Sequence, residues 1–123
     1  MAKKILIIED EFLQLELLRS KIVKEGFEVI QATNGEDGLA TALQEHPDLI
    51  LLDVILPRMD GVTLLGKLRE NEWGKTAKVI ILTNLCSAEA VEKSDSQGVH
   101  DYLVKADYTL EDLVKIVRER LKD

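Results

Sequence analysis

The chain has a single cysteine, Cys86, so no intramolecular disulfide can form, and a reducing compartment, the cytoplasm, is the expected location. It also lacks any apolar run near the ~18 residues that a membrane span needs. The opening stretch MAKKILIIEDE begins with two lysines, like a secretion signal, but its apolar run stops at Ile8 and three acids follow. Neither export nor membrane insertion is expected. Basic residues are the third shortage: 16 Lys and Arg against 23 Asp and Glu leave a net charge of -7. Phosphate backbones are held by basic patches, so direct nucleic-acid binding is not expected, whereas a cation is favoured.

What is present is a chain of 123 residues, 46% hydrophobic and 32% charged, too apolar for disorder and long enough for one core without a second module. A single domain over 1–123 is expected. Short apolar runs recur at Lys4–Ile8, Phe27–Gln31, Leu49–Leu52, Val79–Leu82 and Asp101–Val104, and read as five strands. Leu49–Leu52 has no polar alternation, the pattern of a strand covered on both faces and so of a parallel sheet.

The intervals read as helices. Leu15, Leu18 and Ile22 form one stripe, Leu39, Ala42 and Leu43 a second, and Leu64, Leu65 and Leu68 a third. The last helix carries Leu110, Leu113, Val114, Val117 and Leu121 on one face behind a Thr109/Asp112 capping box. The fourth segment, SAEAVEKSDSQG, is weakly apolar and is expected to be loosely held. Gly26, Gly35, Gly74 and Gly98 fall between elements, where turns are expected. Strands alternating with helices make βαβ units, so the expected fold is α/β: a doubly wound five-stranded parallel sheet in a three-layer sandwich.

In such a sheet all strand carboxyl ends share one edge, and ligands bind where the connections diverge. Strand one ends in Glu9 and Asp10, strand three in Asp53, strand four in Thr83 and strand five in Lys105. If the strand order is 2-1-3-4-5, the divergence falls between strands one and three, and Glu9 and Asp10 then face Asp53. Clustered carboxylates repel one another unless a cation joins them, and an all-oxygen site suits Mg²⁺ rather than zinc.

The motifs IIEDE, LLDVILPRMDG, ILTN and YLVKA, in this order and at these strand ends, resemble the receiver domains of two-component response regulators, with a CheY-like, flavodoxin-like topology. The resemblance spans the whole chain. It implies that Asp53 is the phosphoacceptor, that Asp10 and Asp53 ligate Mg²⁺ directly, that the Ile55 carbonyl is a further ligand, and that Glu9 assists through water. Thr83 would contact the phosphoryl group, Lys105 would pair with it, and Thr83 with Tyr102 would form the switch. A sensor histidine kinase or phosphotransfer protein would be the donor. An effector protein would bind the face made by helix four, strand five and helix five. The only reactions catalysed would be the protein's own phosphorylation and dephosphorylation.

Two positions depart from the family pattern. Ala106 follows Lys105 where a cis proline is usual, and a non-prolyl cis bond costs roughly 3 to 4 kcal/mol, which leaves the Lys105–Ala106 isomer open. Asn84 follows Thr83 where a very small residue is usual, which would narrow access to Asp53. Ile55 and Leu85, two positions beyond the aspartate and the threonine, would border the path of hydrolytic water in a receiver. Both are apolar.

Bland roles remain for other residues. Asp60 reads as a cap on helix three with Gly61 allowing a tight bend. Cys86, Trp73, His46 and His100 read as packing or surface residues without a partner group in the sequence. A flavodoxin-type flavin site fails because Glu9–Glu11 would repel the phosphate that its first loop must cradle. A phosphatase of the haloacid dehalogenase type would need an Asp-x-Asp at strand one and a cap domain. The alternative that stays open is a degenerate receiver acting as a phosphorylation-independent interaction module. No output module follows Lys122 and Asp123, which fits a stand-alone receiver or a piece of a larger protein.

Overall fold

The computed structural model describes residues 2–83, 98, 101–104 and 107–122. Five parallel strands, β1 (Lys4–Ile8), β2 (Glu28–Ala32), β3 (Leu49–Leu52), β4 (Val79–Thr83) and β5 (Asp101–Val104), form one sheet in the order 2-1-3-4-5. Helices α1 (Phe12–Lys24), α2 (Gly35–Glu45) and α3 (Gly61–Glu70), with a C-terminal helix Leu110–Arg120, cover its faces. Three strands have the bounds expected from the sequence. β2 runs one residue later, because Phe27 packs at the strand's entry while Ala32 still pairs with Ile8. The weakly apolar fourth segment lies outside the described residues, apart from Gly98.

The layer arrangement follows from period-two alternation in fully apolar strands. Leu6, Ile8, Ile50, Leu52, Val79 and Ile81 point to one face, where α2 and α3 add Ala42, Leu64, Leu65 and Leu68. Ile5, Ile7, Leu49, Leu51, Ile80 and Leu82 point to the other, against Leu15, Leu18 and Ile22 of α1 and Leu113, Val114 and Val117 of the C-terminal helix. Burial on both sides is why β3 and the Ile5–Ile8 stretch of β1 contain no polar residue.

Helix starts follow the expected caps. Thr109 and Asp112 form the reciprocal capping box, and Asp60 accepts from the Thr63 N–H at 2.8 Å at the head of α3. The glycines divide differently from the expectation that turns need them. Gly26 and Gly98 have φ of +96° and +79°, as turns require. Gly35 and Gly74 do not have positive φ and are needed for space: a Cβ would lie 1.8 Å from the Met59 carbonyl oxygen and 2.0 Å from that of Leu68, respectively.

His46 and Trp73 also differ from the bland reading. His46 ends α2 in the left-handed region, at φ 47°, and its ring stacks on Trp73 with centroids 4.4 Å apart. The partner was invisible in sequence because it lies on the connection after α3.

α1 and the C-terminal helix are tied by a chain of charges. Lys21 reaches Glu25 and Glu111, and Arg118 donates to Glu25 at 2.7 Å while lying over the Phe27 ring. Arg118, then Lys21, holds the Glu25 carboxyl below its ordinary 4.5. A depressed carboxyl stabilises the fold above the unfolded pKa, and that contribution is lost as pH falls through the folded value. Urea midpoints should therefore drop more steeply below pH 4.5 in the wild type than in Arg118→Ala. Parallel acid limbs would refute the assignment.

Candidate functional site

The site begins where two central strands stop. Ile8 and Leu52 are paired in register, so the residues that follow them, Glu9 and Asp53, emerge side by side. The ladder continues one step past each strand: the Asp53 N–H donates to Ile8 O and the Glu9 N–H donates to Ala32 O, both at 3.1 Å. The two acids are thus held by backbone bonds at the lip of the core, where Glu9 is 1% and Asp53 8% exposed. Asp10 is exposed. It does not cap α1, whose N-cap is Glu11 with no side-chain capping bond. Glu9, Asp10 and Asp53 each offer a carboxylate oxygen, and the three oxygens lie within 4.8 Å of one another.

The connection from β3 to α3 completes the lip. The Ile55 N–H donates to Asp53 Oδ1 at 3.1 Å and fixes the carboxylate against its own loop. Further along, the Met59 N–H donates to Pro57 O at 2.8 Å, and Arg58 turns the chain at φ +70°. Gly61 then returns to the loop's start, its N–H donating to Val54 O at 2.7 Å. Gly61 does not supply the tight bend expected from the sequence; Arg58 does. Gly61 permits contact, since a Cβ there would lie 2.6 Å from Asp53 O and 2.8 Å from Val54 Cα.

Other expected residues are placed less fully. Thr83 is the last residue of β4 and pairs with Val104, which puts it on the same edge of the sheet as Asp53. Tyr102 pairs with Ile81 and packs, half-buried, against the core on the α2/α3 side. Lys105, Ala106, Asn84, Leu85, Cys86 and His100 lie outside the described residues. Phe12 and Leu13, in the first turn of α1 just after Asp10, are 71% and 75% exposed, and Ile55 across the lip is 57% exposed. These three give the acidic cluster an apolar rim that the sequence reading did not single out. The signal for it was the pair of apolar residues directly after the acids, outside the Leu15/Leu18/Ile22 stripe.

Among the described residues the cluster consists of three carboxylates, a donor set that matches a hard divalent cation of the Mg²⁺ type. A carboxylate also suits nucleophilic attack on phosphorus, because in its ionised form it needs no general base to take a proton from it.

Comparison with known proteins agrees with this geometry. Residues 5–118 match the response regulator receiver domain family, and the chain belongs to it. It is 35% identical over 97% of its length to the DNA-binding dual master transcriptional regulator RpaA of Synechocystis, of which it spans 49%. It is 33% identical to protein PilH of Pseudomonas aeruginosa, covering 83% of this chain and 84% of that one. The crystal structure of a CheY-like receiver domain protein from Methanospirillum hungatei superimposes with a TM-score of 0.91 at 31% identity, covering 98% of this chain and 94% of that one.

The chain is therefore a receiver domain of the two-component response-regulator class. Among the described residues no helix is long and apolar enough to cross a membrane.

Proposed function

We propose that this receiver accepts a phosphoryl group on Asp53 from a phosphohistidine of a sensor kinase or phosphotransfer protein, and passes the signal on through a change of conformation. The observation that carries this reading is the convergence of Glu9, Asp10 and Asp53 within 4.8 Å at the ends of paired strands. In the reaction a carboxylate oxygen of Asp53 attacks phosphorus in line, the P–N bond breaks, and its electrons leave with the imidazole. Asp10, Asp53 and the Ile55 carbonyl would hold Mg²⁺, with Glu9 assisting through water. Bound there, the ion supplies positive charge against the carboxylates and the phosphoryl oxygens. Ile55 N–H holds the Asp53 carboxylate in place, and Thr83 and Lys105 would donate to the phosphoryl oxygens.

Thr83 and Tyr102 would form the switch, and the effector would bind the face that includes β5 and the C-terminal helix. The apolar rim of Phe12, Leu13 and Ile55 suits contact with the phosphodonor protein. The cytoplasm is the proposed location, and the chain's own chemistry is limited to its phosphorylation and dephosphorylation.

Incubation with acetyl phosphate and Mg²⁺, followed by intact-mass measurement, should add one phosphoryl group to the wild type and none to Asp53→Ala. Label on another residue, or label persisting in Asp53→Ala, would sink the assignment. No label in the wild type would favour the phosphorylation-independent module.

Metal should also act on stability. Mg²⁺ binds the folded cluster and not the dispersed acids of the unfolded chain, so it should raise the melting temperature. Without metal, Asp10→Asn removes a repelling charge and should be about 1 kcal/mol more stable than wild type, a modest figure because Asp10 is exposed. With saturating Mg²⁺ the order should reverse. A variant less stable than wild type in both conditions would contradict repulsion within the cluster.

A further inference from the structure

The loop from Asp53 to Gly61 is gripped at both ends, and only one grip belongs to the helix that follows it. At its start, Gly61 lies against the Asp53 and Val54 backbone. At its far end the contact comes from α2, a helix that carries none of the proposed site residues. The Gly35 N–H donates to Pro57 O at 3.3 Å, and the Gly35 Cα faces the Met59 backbone so closely that an added Cβ would lie 1.8 Å from its oxygen, 2.6 Å from its carbonyl carbon and 2.7 Å from its Cβ. Glu36 of the same turn approaches Arg58 at 3.7 Å. The turn itself is fixed by Asn34, 92% buried, whose side chain accepts from the Asp37 N–H and donates to the Asp37 carboxylate, each at 2.9 Å.

We infer that Gly35 is a positioning residue for the acceptor site: the first turn of α2 sets the loop that carries Ile55, and so sets metal binding and phosphoryl transfer at Asp53. This rests on the reading of Asp53 and its metal ligands given above. The physical reason is rigidity at short range. Ile55 lies between the two grips, with its N–H on Asp53 Oδ1, and its carbonyl is the proposed ligand. The atoms facing Gly35 are mainly backbone, which cannot rotate aside as a side-chain tip could, so a methyl group there must displace either α2 or the loop. A displacement of about 1 Å in a positioning element can lower a rate about a hundredfold without touching the reacting atoms.

The test compares Gly35→Ala with Gly26→Ala, whose backbone is also strained by a side chain but whose Cβ meets nothing within 4 Å. Mg²⁺ affinity by calorimetry and the initial rate with acetyl phosphate are measured at a temperature where both variants are folded by circular dichroism. Gly35→Ala should lose at least about tenfold in both quantities, and Gly26→Ala should stay within about twofold of wild type. Gly35→Ala matching Gly26→Ala in both would overturn the inference, while a wild type that neither binds Mg²⁺ nor takes up phosphoryl would overturn the functional reading instead.

Amide exchange in the wild type gives a second measurement that needs no variant. Saturating Mg²⁺ should slow exchange at Gly35 as well as at Ile55 and Gly61, because the turn and the loop move as one body. Protection of Ile55 and Gly61 with Gly35 unchanged would also overturn the inference.

Discussion

Gly61→Ala is expected to cost about 3 kcal/mol of stability, roughly 10 °C in melting temperature, and to reduce phosphorylation of the protein that remains folded. Its added methyl would meet Asp53 O at 2.6 Å and Val54 Cα at 2.8 Å, both backbone atoms of the segment that carries the proposed acceptor. Moving α3 away would weaken the 2.7 Å bond from Gly61 N–H to Val54 O and loosen Leu64, Leu65 and Leu68 from the core. Moving the loop would disturb the bond that holds Asp53 Oδ1. Gly26→Ala provides the scale: positive φ alone costs about 1 to 2 kcal/mol, with no neighbour to displace. Thermal melts that rank Gly61→Ala no worse than Gly26→Ala would show that the contact is softer than its distances imply.

A long-lived phosphorylated state is the second large effect expected. In a receiver, the side chains two positions beyond the aspartate and the threonine border the path of hydrolytic water, and here they are Ile55 and Leu85. Ile55 is 57% exposed, so its side chain faces solvent rather than the core. Neither hydrocarbon can hold or orient a water, and in-line attack on the acyl phosphate becomes rare. Ile55→Asn combined with Leu85→Glu restores polar groups along that path and should speed decay about tenfold or more. The measurement is loss of the phosphoryl group by intact mass after acetyl phosphate is removed. Equal or slower decay in the double variant would mean that water access there does not set the lifetime.

How much of this was legible beforehand depends on the range of the interaction concerned. The strand ends were readable because an unbroken apolar tetrad followed by an acid, as at Leu49–Asp53, is a local pattern. The Thr109/Asp112 capping box, the Asp60 cap and the buried stripes of α1, α3 and the C-terminal helix were readable for the same reason, since they depend on neighbours three or four residues away. Gly35 and Gly61 were misread as turn residues because the atoms that exclude a side chain from them belong to other segments. His46 and Trp73 were read as unpartnered for the same reason: their contact joins two separate connections at the opposite end of the sheet.

By itself the sequence determined five strands, their alternation with helices and the set of acids that end β1 and β3, because these depend on hydrophobic period and on residue type. Only the tertiary structure decided that Glu9 and Asp53 are buried while Asp10 is exposed, that the Ile55 N–H donates to Asp53 Oδ1, and that α2 touches the loop after Asp53. The crossovers bring residues tens of positions apart to within bonding distance, and the separations they reach are set by packing across the sheet, which no local pattern contains.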